Sequence, residues 1–116
     1  MAVIVKTRYP EELKNQIRKG IENQEIASWL CDSDGDFTSS ELLWKNHAWF
    51  RPYTEIGSLV FAIIGRKDSL LTIKEYAFYH SRFTEMLMTY FSHDITEIIS
   101  QSPFVNSKDT QKVEVR

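Results

Sequence analysis

The chain has 116 residues and a net charge of -2, and 42% of its residues are hydrophobic, 26% charged and 13% aromatic. At this length folding removes roughly two thirds of the unfolded chain's surface from water, which is enough for one core and one domain. The apolar and aromatic fractions exclude an intrinsically disordered chain. Six acidic residues and no lysine or arginine lie between Gly20 and Trp44, so we expect no nucleic-acid partner.

Cysteine content and hydropathy indicate the compartment. Cys31 is the single cysteine, so it cannot form an internal disulfide. The longest apolar run, residues 59–64, is far shorter than the ~20 residues that a membrane span needs. Residues 2–5, which precede Lys6, are too few for the core of a signal peptide. We therefore expect a cytoplasmic protein that does not bind membranes.

The first third of the chain predicts two strands that flank a helix. Residues 2–8 are β-branched on both faces, which favours a strand. Pro10 suits the first position of a helix, and apolar residues recur at helical spacing up to Ile21, which predicts a helix over residues 10–23. Residues 27–31 predict a second strand, and residues 32–36 predict a tight turn around a glycine.

Next, a short helix is expected over residues 39–46. Thr38 and Glu41 have the spacing of a capping box, in which each side chain satisfies the other residue's free amide. A strand over residues 48–51 follows, and Pro52 is expected to end it.

The second half of the chain predicts the central strand and the longest helix. Residues 57–65 have the length and apolar density of a buried strand. A second capping box, Thr72 and Glu75, begins a helix over residues 73–91, whose outer side carries Phe78 and Met88. Residues 94–101 predict a short helix, and residues 103–116 predict a polar tail.

Together these elements predict an α+β fold. We expect a single domain over residues 1–102, with a mostly antiparallel sheet of about four strands packed against the two main helices.

The acidic turn, defined as residues 32–36 (DSDGD), has alternating aspartates, which are the residue type that binds calcium. If Asp32 is the first ligand of an EF-hand loop, Phe37 occupies the glycine position and Leu43 the position of the bidentate glutamate. The spacing therefore predicts a hairpin turn that caps its own backbone and holds no metal.

Signatures of catalysis are missing from the sequence. The four glycines are not clustered into a phosphate loop, and none of the serines stands in a G-x-S-x-G elbow. The aspartates beside Cys31 are expected to raise the pKa of its thiol, which disfavours a nucleophile. We therefore predict no catalytic residue and no cofactor.

His80 lies on the apolar stripe of the long predicted helix, with Tyr79 and Arg82 close in sequence. A lone histidine at such a position is commonly a core residue bonded to a carbonyl or a tyrosine. If a polar network of His80 with Tyr76 and Tyr79 opened into a cleft, however, Tyr79, His80 and Arg82 would form a ligand site or an acid–base group.

Aromatic and acidic residues are concentrated between Trp29 and Pro52. Tryptophan, tyrosine and arginine are the residue types that dominate binding hot spots. We therefore predict a protein-binding surface for a partner with a basic surface. Its predicted residues are Asp32, Asp34, Asp36, Trp44, Arg51 and Tyr53.

Four motifs, W-x(2)-D-x-D-G-D-F-T from Trp29, then AWFRP, LVFAII and YHSRF, resemble those of a family of small uncharacterised bacterial proteins. The resemblance spans most of residues 3–92. In that family the last motif more often reads Y-H-G-R-F, so Ser81 departs from it. The resemblance implies no activity, cofactor or catalytic residue, but it implies that His80, Arg82 and the acidic turn belong to one shared design.

Three functions remain open from the sequence. The leading hypothesis is a non-enzymatic bacterial interaction protein of the inhibitor, immunity or adaptor type. The first alternative is a ligand-binding protein or enzyme with a site at Tyr79, His80 and Arg82. The second is a structural protein that forms a homodimer or larger oligomer through Phe78 and Met88.

Overall fold

A computed structural model describes residues 2–103, in which an antiparallel β-sheet carries two α-helices on one of its faces. The α+β class is therefore confirmed. Of the predicted tail, residues 104–116 lie outside the described residues. In chain order the elements are β1 (Ala2–Lys6), α1 (Pro10–Glu22), β2 (Trp29–Cys31), β3 (Phe37–Ser39), β4 (Ala48–Glu55), β5 (Ser58–Gly65), α2 (Ile73–Phe91) and β6 (Glu97–Ser100).

The sheet has six strands, not about four, in the order β2-β3-β4-β5-β1-β6. Every neighbouring pair is antiparallel. Strand β5 lies between β4 and β1, and its apolar run is almost entirely buried, as the sequence predicts. In the β1–β5 pair, Val3 is opposite Phe61 and Val5 is opposite Leu59, and these side chains face the helices.

Both helices follow their sequence signals closely. Helix α1 begins at Pro10 and buries an apolar stripe that includes Leu13 and Ile17. Helix α2 spans the predicted residues, and the capping box is present: Thr72 Oγ1 accepts the Glu75 N–H at 3.0 Å, and Glu75 Oε1 accepts the Thr72 N–H at 2.9 Å. Reciprocal caps of this kind satisfy amides that the first helical turn leaves free.

Phe83 of α2 lies at the centre of the core. Its ring centroid is 4.9 Å from that of Trp29, 4.5 Å from that of Phe50 and 4.7 Å from that of Phe61. The tilted and edge-on geometries suit the ring quadrupoles. One aromatic cluster thereby joins α2 to strands β2, β4 and β5.

The helix predicted over residues 94–101 is wrong, because half of this segment is strand β6 and no α-helix forms there. Ile98 and Ile99 pair with Val5 and Ile4 of β1, and the Thr96 N–H donates to the Lys6 carbonyl at 2.9 Å. The β-branched isoleucines suit a pleated surface, and the exposed edge of β1 supplies hydrogen-bond partners.

The helix predicted over residues 39–46 is also wrong, because the segment forms a turn. The Thr38 hydroxyl donates to the Ala48 carbonyl at 2.7 Å and therefore does not cap a helix. The Glu41 N–H is bonded to Ser39 Oγ instead, at 3.1 Å. Asn46 has a φ of 60°, which ends right-handed winding at that residue.

Pro52 does not end strand β4, which continues to Glu55. Strand β3 aligns with β4 only through Phe37 and Phe50, so the later residues of β4 lie on an edge of the sheet. Because a proline on an edge removes no ladder hydrogen bond, β4 continues through Pro52 in pairing with β5.

Candidate interaction surface

The residues predicted to form one binding surface lie at two ends of the β2–β3 hairpin. The acidic turn closes one end, where the Asp32 N–H donates to the Asp36 carbonyl at 2.9 Å. At the other end the Ser40 N–H donates to the Ser28 carbonyl, and the chain then leads to Trp44. Arg51 binds Asp36, and Tyr53 lines the same cleft as the acidic turn. Trp44 is therefore separated from the other five predicted residues.

The acidic turn caps its own backbone. One oxygen of Asp32, Oδ1, accepts the N–H groups of Asp34 and Asp36, both at 2.9 Å. Gly35 has a φ of 83°, a conformation that side chains disfavour. The geometry is that of the self-capping turn expected from the sequence.

Asp36 and Arg51 form a two-point ion pair across the sheet. Arg51 Nε donates to Oδ1 at 3.1 Å, and a terminal nitrogen donates to Oδ2 at 2.8 Å. The Asp36 side chain is nearly buried, and its hydrogen bonds and charge raise the pKa of Arg51. Because each group neutralises the other, neither offers a partner a full charge.

The carboxylates of Asp32, Asp34 and Asp36 lie within 4.8 Å of one another. However, both oxygens of Asp36 bind Arg51, and one oxygen of Asp32 binds two amides. The remaining oxygens are too few for the six to eight that calcium takes. We assign no cation to the turn.

Tyr79, predicted as part of an alternative ligand site, is fully buried in the core. Its hydroxyl donates to the Trp44 carbonyl and lies 3.1 Å from Thr38 Oγ1. The hydroxyl therefore joins Thr38 of β3 to Trp44, and it faces protein, not solvent.

His80 is 4% exposed and stacks on Tyr76, with ring centroids 3.8 Å apart. Nδ1 lies 2.9 Å from Ser100 Oγ, and Nε2 is buried without a hydrogen-bond partner among residues 2–103. Burial lowers the pKa of the imidazole to about 3, so the ring is neutral at physiological pH.

Arg82 lies on the outer side of α2, away from these core groups. Its guanidinium lies over the Phe78 ring at 5.6 Å, and it forms a 3.5 Å ion pair with Glu85. The structure therefore does not assemble Tyr79, His80 and Arg82 around one cleft.

Cys31 is a half-buried free thiol. Burial is the main cause that raises its pKa, and the charges of Glu22 and Asp32 raise it further. Sequence reasoning identified the direction but named only the aspartates. A thiol in this setting is a poor nucleophile.

The loop over residues 40–47, which we call the Leu42 loop, presents two adjacent leucines to solvent. Leu42 is 93% exposed and Leu43 is 78% exposed. Sequence reasoning missed them because the predicted capping box placed both inside a helix. The signal that could have identified them is two consecutive leucines next to a tryptophan in a segment rich in polar residues.

Trp44 fixes the Leu42 loop to α2. Its ring lies parallel to that of Phe78, with centroids 4.3 Å apart and planes 11° apart. Because Phe78 is thereby partly covered, the outer side of α2 is less apolar than the sequence suggests. Met88 remains 52% exposed on that side.

His47 fixes the other end of the loop through Glu75. His47 Nδ1 lies 2.6 Å from Glu75 Oε2, and Arg66 donates to the same oxygen at 2.8 Å. Glu75 is buried, and its other oxygen caps α2. Sequence reasoning found the cap but not the contacts with His47 and Arg66.

A cleft of about 250 Å³ adjoins the Leu42 loop. Glu41 forms one side, and α2 contributes Arg82, Glu85 and Tyr90 to the other. Adjacent exposed leucines form an apolar patch of the kind that marks interaction sites. The arginine and the tyrosine in the neighbouring cleft are residue types enriched in binding hot spots.

In comparisons with known proteins, no family model, curated protein or solved structure matches the chain. None of the helices within residues 2–103 combines the length and apolarity that crossing a membrane requires.

Proposed function

We propose that the chain is a non-enzymatic protein-interaction module, of the inhibitor, immunity or adaptor type, whose partner binds the Leu42 loop. The observation that carries this proposal is the exposure of Leu42 and Leu43 on a loop anchored at Trp44 and His47. Burial of a leucine side chain contributes about 1.5–3 kcal/mol, so the pair offers a partner a substantial apolar contact.

Anchoring of the loop favours tight binding. A free loop loses conformational entropy when a partner orders it, and this loss weakens the complex. The Trp44 stack and the Glu75 contacts hold the Leu42 loop before any partner arrives. The apolar contact is therefore made at a reduced entropic cost.

Charge along the β2–β3 hairpin, at a distance from the Leu42 loop and its own Lys45, indicates the sign of the partner. The stretch from residue 21 to residue 43 contains acidic residues and no lysine or arginine, and Glu22, Glu25, Asp32 and Asp34 are exposed. A partner with an apolar groove and a basic rim suits this surface, because opposite charges steer association and select the partner.

The proposal is tested by affinity capture from the source cells with four forms of the chain. Leu42→Ser/Leu43→Ser removes the apolar pair, and Asp32→Asn/Asp34→Asn removes exposed charge at the other end of the hairpin. Ile56→Ser is the matched control, because Ile56 is fully exposed on the β4–β5 turn, away from the loop.

We expect the wild type and Ile56→Ser to retain one protein that Leu42→Ser/Leu43→Ser loses. Asp32→Asn/Asp34→Asn should mainly slow association, an effect that added salt should mimic. Equal retention by the double-leucine variant, or no retained protein, would contradict the proposal. Light scattering that shows a stable dimer dependent on Met88 would favour the homo-oligomer instead.

A further inference from the structure

A second concave surface lies between α1 and the acidic turn, away from the Leu42 loop. We call it the Arg18 cleft. Its volume is about 310 Å³. The residues that carry its chemistry are Lys14, Arg18, Asp34, Asp36, Arg51 and Tyr53.

The two walls of the Arg18 cleft carry opposite charges. Lys14 and Arg18 are four residues apart on α1 and lie on the same side of the helix. The facing wall is formed by the acidic turn, which contributes Asp34 and Asp36. Walls of opposite sign suit a ligand that itself carries both signs.

Some of these charges are already neutralised within the molecule. Lys14 forms a 2.9 Å ion pair with Glu11, and Asp36 binds Arg51 through two hydrogen bonds. These contacts leave Arg18 and Asp34 as the groups able to bind a ligand.

The charged groups of Arg18 and Asp34 make few contacts with the described part of the protein. The Arg18 guanidinium makes one long contact, 3.5 Å, with the side-chain oxygen of Asn15. The Asp34 carboxylate accepts no hydrogen bond from the described part of the chain, although the Asp34 N–H is bonded to Asp32. One cation and one anion therefore remain open on opposite walls.

The cleft is held in shape without a ligand. The Asp32 carboxylate fixes the turn through two amide hydrogen bonds, and the Asp36–Arg51 pair ties the turn to β4. The opposite wall is the middle of a helix. A site built on rigid elements loses little entropy when it binds.

We propose that the Arg18 cleft binds a small dipolar ligand of the amino-acid class, with its carboxylate on Arg18 and its ammonium group on Asp34. The volume lies at the lower end of the range for small-molecule sites, which suits a ligand of this size. Pro52 and Tyr53 line the cleft and offer apolar contact to methylene groups between the two charges. An ammonium group suits Asp34 better than a divalent cation does, because few carboxylate oxygens are uncommitted.

The ligand class is tested by titrating isotope-labelled protein with a series of amino acids that differ in the spacing of their charges. The probes are glycine, γ-aminobutyrate and ε-aminocaproate, and the one-charge controls are butylamine and butyrate. We expect one amino acid to shift the amide resonances of Gly35 and Tyr53 saturably, about tenfold more tightly than either control.

Substitutions then assign the two charges. Arg18→Gln and Asp34→Asn should each weaken binding about tenfold or more. Lys67→Gln and Asp68→Asn are matched controls, because both residues are exposed on the β5–α2 connection and should leave affinity unchanged.

Three results would overturn the proposal: no saturable shift up to about 10 mM of any amino acid, equal binding of the one-charge controls, or wild-type affinity in both cleft variants. Leu42→Ser/Leu43→Ser should bind the amino acid normally. Failure of the Leu42 loop as a partner site would therefore leave this result intact.

Discussion

The Trp44 ring lies parallel to the Phe78 ring at 4.3 Å, and this contact joins the Leu42 loop to the outer side of α2. The same stack uses apolar surface that the sequence would assign to a dimer interface. The guanidinium of Arg82 also lies over the Phe78 ring, 5.6 Å from its centroid. One aromatic ring on α2 thus serves both the loop and an arginine.

The first prediction concerns the strength of this stack. Trp44→Ala should lower the free energy of unfolding by about 2 kcal/mol, because it removes a large partly buried ring and uncovers Phe78. Trp44→Phe should lose less. Urea unfolding measures both, and Leu42→Ala, which changes an exposed side chain, should stay within about 0.5 kcal/mol of the wild type.

A double-mutant cycle separates the contact from general loss of packing. Trp44→Ala and Phe78→Ala together should show a coupling of about 0.5–1.5 kcal/mol. Additive losses would mean that the two rings do not stabilise each other in solution.

The second prediction concerns Glu75. Burial alone would raise the pKa of Glu75, but hydrogen bonds from Thr72 and His47 and the charge of Arg66 lower it overall. Glu75→Gln keeps an oxygen for the cap but removes the charge, and we expect a loss of about 1–3 kcal/mol in urea unfolding at neutral pH.

The effect of Glu75 should depend on pH in a defined direction. Since its pKa is lower in the folded state, its contribution is present at neutral pH and is lost as pH falls through the unfolded and then the folded pKa. The difference between wild type and Glu75→Gln should therefore shrink in acid. Glu85→Gln, on the exposed side of α2, is the control, and an equal loss there would contradict the assignment.

The third prediction concerns His80, whose pKa is about 3 in the folded protein against an ordinary value of 6.5. Between pH 6.5 and about pH 3 the unfolded chain binds a proton at His80 that the folded protein does not. The free energy of unfolding therefore falls as pH decreases from about 6.5. The slope should approach about 1.4 kcal/mol per pH unit.

His80→Phe isolates this effect, because phenylalanine keeps a ring against Tyr76 and cannot take up a proton. Urea unfolding between pH 7.5 and pH 5 should show that the variant lacks part of the wild-type slope. Parallel slopes would mean that the pKa of His80 is not lowered, which would contradict the burial of its ring in the folded protein.

Signals within a few residues made α2 and its cap predictable from the sequence. The Thr72 and Glu75 side chains satisfy amides within the same turn, and a long apolar stripe follows them. The same spacing at Thr38 and Glu41, without such a stripe, gives a turn and no helix. Strand β6 was not predictable, because its partner β1 lies at the other end of the chain. Its isoleucines fit a short helix equally well until that edge is known.

The surface was harder to predict than the fold. Whether Arg51 is free depends on Asp36, which reaches it only through the register of β3 and β4. The exposure of Leu42 depends on Trp44, which binds a ring that lies well along the chain in α2. Contacts of this kind are set by tertiary structure, so composition located the acidic and aromatic groups without showing which remain available.

The last prediction concerns Gly20, which lies in the last turn of helix α1. Helix α1 continues to Glu22, and the Gly20 carbonyl accepts the N–H groups of Glu25 and Ile26 at 2.9 and 3.0 Å. These bonds bring the buried Ile26 side chain over the glycine. A Cβ atom at residue 20 would lie 2.7 Å from Ile26 Cδ1 and 3.1 Å from Cγ1.

Two effects oppose each other in Gly20→Ala. Alanine favours a helix over glycine by about 1 kcal/mol, whereas overpacking in a core costs about 1–3 kcal/mol. Ile26 is 4% exposed and has little room to move, so we expect a net loss of about 1 kcal/mol in urea unfolding.

Ile26→Val decides between the two effects, because valine lacks the Cδ1 atom that the new methyl group would meet. In that background Gly20→Ala should become neutral or stabilising, since the helix preference then acts with less opposition. If Gly20→Ala stabilises the wild type as well, Ile26 relaxes freely and the close approach of this side chain to α1 is not what requires a glycine.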